Sequence, residues 1–283
     1  MKKGLLIILL PALLLTSCKG KQISEEEAKP IMNAIHERLE EPCKNIEISL
    51  KSSGVSVVDG KSVRQDVVYH LIENDKDEIK FEMKGSADGQ KVDTSFVRAK
   101  NATYTEVTYV KQLDSETNEY NEYTYVAKNN PSYDSSSLYV VIFALVPALM
   151  FSAFSDPTNL STGNQTLTGG GITTEKNVKY YSRNDKNLTI EITQVAQGHK
   201  RNEGTEGVVD MTGTIAYDNL FLNKVVIKGK TNYDNPVNMD MGVKVSETTN
   251  KISLPSGWEK HSDILPSLKE VGASCAMTLL SQA

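Results

Sequence analysis

Cys18 is the side chain in this 283-residue sequence whose surroundings best prepare a reaction. It follows Leu15, Thr16 and Ser17, at the end of an apolar run that begins at Gly4 and is preceded by Lys2 and Lys3. A positive start and an apolar run too short to cross a bilayer permanently read as a secretory signal over residues 1–17. Small residues before a cut let the backbone enter a peptidase cleft, and a thiol at the cut can carry a diacylglyceryl group as a thioether. An ordinary signal whose cysteine is incidental is the competing reading, and a retained signal anchor fits the length less well. No other chemistry stands out. His36, His70, His199 and His261 have no second His or Cys at ligand spacing, so no metal site is expected. No nucleophile elbow, phosphate loop or dinucleotide motif occurs, which leaves no catalytic residue and no cofactor to assign. Gly169, Gly170 and Gly171 lack the Lys and Ser of a phosphate cradle. Asp75, Asp77 and Glu78 read as a solvated hairpin tip rather than a calcium loop.

The order Leu15-Thr16-Ser17-Cys18 resembles the lipobox of bacterial lipoproteins. The resemblance implies that Cys18 is lipidated and that the mature chain is held on the extracytoplasmic face of the cell membrane, two acyl chains being enough for stable anchoring. The full chain has 31 basic and 36 acidic residues; without Lys2 and Lys3, 29 basic residues remain and the balance is −7. That charge offers no field for nucleic acid and no electrostatic docking on anionic lipid heads, so the acyl anchor is the expected membrane contact. Cys43 and Cys275 are the other cysteines, and export permits a disulfide between them or leaves two separate buried thiols.

The elements that would carry these groups follow from periodicity. Residues 19–23 read as a tether. Ser24 and Glu27 have capping-box spacing, and Ile31, Ile35 and Leu39 give one apolar stripe, so a helix is expected over 24–41 with Pro30 early in it. From Asn45 the period becomes two, predicting strands around 46–50, 67–71, 79–83, 96–98, 104–110 and 123–126, with turns at Asp59-Gly60, Asn74-Asp75 and Asp88-Gly89. Tyr104, Tyr109, Tyr120, Tyr123 and Tyr125 read as sheet packing, with a carbohydrate or peptide face as the alternative. A polar, Gly-rich loop is expected over 156–174, followed by strands at 178–182, 188–195, 208–217, 223–230 and 239–246, and a C-terminal helix over 263–280.

Residues 138–154 interrupt the strands with a nearly unbroken apolar stretch. As a membrane-crossing helix it is at the lower length limit and carries Pro147. As a core helix it must be covered on every face. As a plug or lid it would border a cavity that a lipid enters, with Val141, Phe143, Leu145, Met150, Phe151 and Phe154 as the apolar lining.

A lipobox, a helix, a strand meander, an internal apolar helix and more strands together resemble the lipoprotein-carrier superfamily of LolA, LolB, LppX and LprG type proteins. The resemblance rests on the order of elements. It implies a mainly β (α+β) domain over 24–283, an unclosed antiparallel β-barrel of about eleven strands wrapped around inner helices, whose interior binds acyl chains. The expected function is therefore a non-enzymatic, monomeric, membrane-anchored lipoprotein that binds a lipid or the acyl chain of a lipoprotein, for transport through the envelope. A surface interaction or structural lipoprotein with a solid core, binding protein or glycan, is the alternative.

Overall fold

Alternation of apolar and polar residues along the chain is realised as strands. The computed structural model describes residues 20–39, 45–58, 61–76, 78–100, 106–114, 116–127, 147, 149–160, 163–169, 172–199, 206–232 and 237–260. The expected lipidation site Cys18, the cysteines Cys43 and Cys275, read as a disulfide or as two separate thiols, the lining candidates Val141, Phe143 and Leu145, and the helix expected over 263–280 lie outside them.

The described chain is mainly β. Thirteen strands, β1 (Lys21–Ile23), β2 (Ile46–Val58), β3 (Lys61–Glu73), β4 (Ile79–Ala87), β5 (Gln90–Ala99), β6 (Glu106–Leu113), β7 (Tyr120–Ala127), β8 (Gln165–Gly169), β9 (Ile172–Ser182), β10 (Leu188–His199), β11 (Glu206–Asp218), β12 (Phe221–Thr231) and β13 (Val237–Glu247), form one large sheet that is not closed. One helix, α1 (Glu25–Leu39), precedes β2, and residues 149–155 are helical. The chain divides into two compact units, the first Met1–Pro42 with Ala153–Asp240, the second Cys43–Ser152 with Met241–Ala283.

The second unit holds the antiparallel order β2-β3-β4-β5-β6-β7. Register puts Ile48, Leu71, Phe81, Phe96 and Val110 in one row and Leu50, Tyr69 and Met83 in the next, all on one face and all buried. Phe81 stacks on Phe96 at 5.2 Å between ring centroids and meets Tyr69 at 6.3 Å. The opposite face mixes charged and polar residues with a buried apolar group of Ile72, Val97, Ala99, Val107, Tyr109 and Leu113, of which Ile72, Val97 and Ala99 cluster with Ile252 and Leu254. That covering segment is held by Thr248 N donating to Asn45 O and by Thr124 Oγ1 donating to the Trp258 carbonyl. The apolar residues at 252–254 thus form a strap over this face. Asp88 and Gly89 close the β4–β5 hairpin with φ of +50° and +78°, the left-handed pair that a two-residue turn needs.

In the first unit β9-β10-β11-β12 are antiparallel neighbours, with β1 and β8 both paired to β9. Helix α1 packs on β9 and β10 through Ala28, Ile31, Met32 and Ile35, all buried. Its start is the expected capping box: Glu27 N donates to Ser24 Oγ and Ser24 N to Glu27 Oε2, bonds that hold the Glu27 carboxyl below its usual range.

Three expectations are corrected. The tether over 19–23 is a strand from Lys21, each residue paired with β9; Gly20 sits at φ +91°, where a Cβ would stand 2.4 Å from Ser182 O. The Gly-rich loop over 156–174 holds a turn of 3-10 helix (Pro157–Asn159), strand β8 and the start of β9. The strand count is thirteen among the described residues, not eleven, because β1 has three residues and β8 is exposed at every position, so neither shows a buried alternation to read.

The second unit's face is tightest at Phe81, which is fully buried. Phe81→Ala should cost about 3–5 kcal/mol. Urea denaturation followed by far-UV circular dichroism should show the lowered midpoint; an unchanged midpoint would mean that the Phe81–Phe96 stack is not a core.

Candidate functional site

Two features of the first unit bear on function: the anchorage of the apolar segment's end, and an uncovered stretch of the sheet's apolar face.

The anchorage is built around Asp156, which is 8% exposed. It caps the 3-10 turn by accepting from Thr158 N at 2.9 Å and Thr158 Oγ1 at 2.7 Å, and it also accepts from Asn159 Nδ2 at 3.0 Å. His36 Nδ1, from α1, lies 2.8 Å from Asp156 Oδ2. Burial alone would raise the carboxyl's pKa; the bonds from Thr158 and His36 and the imidazole's charge outweigh it and hold it below the usual range. Beside it the hydroxyl of Tyr217, a β11 residue 2% exposed, donates to the Phe154 carbonyl at 2.7 Å. Burial first, and the Asp156 charge second, push that phenol well above its usual value. The chain at 154–156 is thereby fixed to α1 and to the sheet.

The described end of the apolar segment is not covered all round. Leu149 is 49% exposed, Ser152 and Ala153 are exposed, and the lining candidates Met150, Phe151 and Phe154 are half-buried. A core helix apolar on every face would have no such exposure. Among the described residues no helix is long and apolar enough to cross a membrane.

The uncovered face follows from the registers. Near α1 the rows Tyr180–Ile190–Ile215–Val225 and Leu188–Tyr217–Leu222 are buried. Moving along the strands, the same face continues as Val178–Ile192–Gly213–Ile227, then Lys176–Gln194–Met211–Gly229, then Thr174–Ala196–Val209–Thr231. From Ile192 outward these positions are half-buried or exposed, Met211 at 38%, and beyond them Ile172 and Leu167 are 45% and 62% exposed. The opposite face of these strands carries Glu175, Asn177, Lys179, Thr193, Asp210, Thr212, Lys228 and Lys230, nearly all exposed, with Lys228 paired to Asp240 at 3.0 Å.

Gly229 makes the face smooth at its centre. A Cβ there would meet only the flexible ends of Met211 and Met239, at 3.6 and 3.7 Å. Two methionines beside a bare backbone form an adaptable apolar surface. The sequence carried this pattern as Val209, Met211, Gly213 and Ile215, with Ile227 and Gly229; what period two alone does not tell is which half of the face α1 covers.

Other candidates form ordinary polar networks. His70 Nε2 lies 2.8 Å from Glu47 Oε1, and Asn250 Nδ2 donates to Glu47 Oε2, so the Glu47 carboxyl is held low chiefly by His70. Tyr109 donates to Glu122 at 2.7 Å, Lys111 reaches Glu122 at 2.9 Å and lies over the Tyr120 ring at 4.7 Å, and Tyr120 donates to Asp93 at 2.6 Å. Tyr109 packs, being 7% exposed, while the Tyr120 ring is met by the protein's own lysine; Tyr123 and Tyr125 fall in β7 and Tyr104 lies outside the described residues. A polar cleft of about 190 Å³ lies at Arg183, Asn187 and Asp218. It is smaller than the roughly 300 Å³ at which small-molecule sites begin. No group of three or more His, Cys, Asp or Glu able to hold a metal occurs among the described residues. No protein-family model matches the chain, and no curated protein matches it.

The Asp156 anchorage has a pH signature. A carboxyl whose pKa is lower folded than unfolded stabilises above the unfolded value, about 3.9, and loses that contribution as pH falls through the folded value. Asp156→Asn should therefore lower stability by ~2 kcal/mol at pH 7, and urea midpoints of variant and wild type should converge towards pH 3. A gap that stays constant with pH would show that the charge contributes nothing.

Proposed function

We propose that the protein is a non-enzymatic lipoprotein, anchored through Cys18 on the extracytoplasmic face of the membrane, that binds an acyl chain against the apolar face of its sheet. The observation that carries this reading is the half-exposed stretch around Ile192, Met211, Gly213, Ile227, Gly229 and Met239, continuous with the buried core under α1. Exposed apolar surface of this kind marks interaction sites, and apolar area removed from water there contributes about 25 cal/mol per Å². Within the same unit, the half-buried Phe154 supplies further apolar surface just before the Asp156 anchorage, where the segment 138–154 ends.

Strand β1 adds a geometric argument. If Cys18 carries the lipid, two residues, Lys19 and Gly20, separate it from Lys21, the first residue paired to β9, and the three steps reach roughly 10 Å when extended. The sheet is then held close to the bilayer from which an acyl chain would come.

The test uses the full chain and its Cys18→Ser variant. Wild type should fractionate with membranes and Cys18→Ser should be released. The released protein should take up a fluorescent acyl probe saturably, with uptake reduced more than tenfold by Met211→Glu and unchanged by Thr212→Glu on the opposite face. Equal uptake by the two glutamate variants would remove the face from the account, and no uptake by the parent would overturn acyl binding.

A further inference from the structure

Two methionines meet at the centre of the uncovered face. Gly229 has no side chain, and a Cβ there would stand 3.6 Å from Met211 Cγ and 3.7 Å from Met239 Cε, so side chains of β11 and β13 converge over bare backbone of β12. Met211 is 38% exposed and Met239 is half-buried. Met32 of α1 and Met83 of β4 are each 5% exposed, so their sulfurs are shut away from solvent. A thioether that gains one oxygen changes from a flexible apolar group into a polar, chiral sulfoxide. The groups that make this face adaptable to an acyl chain are therefore also the ones an oxidant converts.

We propose that Met211 and Met239 form a redox gate on this face: peroxide oxidises their thioethers to sulfoxides, and the oxidised face releases its acyl chain. The inference rests on the acyl-binding reading above and adds the regulation of that site. Each oxidation moves two electrons from sulfur to peroxide. A sulfur lone pair attacks one oxygen of hydrogen peroxide, the S–O bond forms as the O–O bond breaks, and the proton of the transferred hydroxyl passes to the departing oxygen, which leaves as water. Reduction by two thiols, which become a disulfide, removes the added oxygen as water and restores the thioether. Export, expected from residues 1–17, would put these sulfurs where peroxide arrives without crossing the thiol-reducing cytosol. On the bare face a sulfoxide at Met211 stays hydrated, so the fold tolerates it. Under an acyl chain the same oxygen gives up its water against methylene groups, with Val209, Gly213 and Ile227 as neighbours on the face. Desolvating such a dipole weakens binding about tenfold.

The experiment treats the full-length Cys18→Ser protein with hydrogen peroxide, maps added oxygen by peptide mass spectrometry and measures uptake of a neutral fluorescent acyl probe. Met211 should oxidise first and Met239 after it, while Met32 and Met83 remain thioethers until urea unfolds the chain. Probe affinity should fall about tenfold with unchanged far-UV circular dichroism, and return when methionine sulfoxide reductases for both sulfur epimers act with dithiothreitol. The double variant Met211→Leu/Met239→Leu, which keeps Cys43 and Cys275, should show no peroxide response relative to its own untreated uptake. Oxidation of Met211 no faster than that of Met32 and Met83 overturns the site. Oxidised Met211 with unchanged uptake, or an equal loss in the double variant, overturns the gate while leaving acyl binding standing. Absence of uptake before peroxide is added is the failure of acyl binding itself, and the gate falls with it.

Discussion

Period-two alternation locked by antiparallel register is the constraint on which the rest depends. Once Ile190 faces Tyr180 and Ile215, every second residue of β9, β10 and β11 is committed to the same face, and a shift by one residue would carry the whole apolar set to solvent. Helix α1 covers one stretch of that face with Ala28, Ile31, Met32 and Ile35, and the face continues past it. A covered core and an uncovered apolar surface are therefore two lengths of one ladder. The same alternation in the second unit places Phe81, Phe96 and Leu71 together on one face, while the reverse face carries charged pairs beside a smaller apolar cluster around Val97 and Ile252.

Around this ladder the polar groups act as fasteners. Asp156 gathers donors from Thr158, Asn159 and α1, and Tyr217 holds the Phe154 carbonyl, so the end of the apolar segment is fixed where helix and sheet meet within the first unit. Strand β1 fastens the chain close behind Cys18 to β9. That pairing ties the segment that follows Cys18 directly to the sheet that carries the apolar face.

Much of the fold was legible because burial alternates visibly. Ile46, Ile48 and Leu50 announce β2, and Ser24 with Glu27 announces α1 to within a residue at its start. Strands β1 and β8 were not legible: Lys-Gln-Ile pairs through its backbone, and Gln165–Gly169 exposes every side chain, so neither has a buried face to show. For the site, the residues chosen from 138–154 were chosen for apolarity, the property that stands out along a sequence. The stretch at Met211 and Gly229 is ordinary strand sequence whose exposure depends on where α1 stops, a tertiary fact that no local pattern carries.

The central claim is that an acyl chain lies on the first unit's sheet, and covalent capture tests it most directly. A fatty acid carrying a diazirine near its chain end, irradiated with the full-length Cys18→Ser protein and mapped by peptide mass spectrometry, should label the peptides that hold Met211 and Met239. Labelling confined to strands of the second unit, or none above the level of a denatured control, would contradict the account.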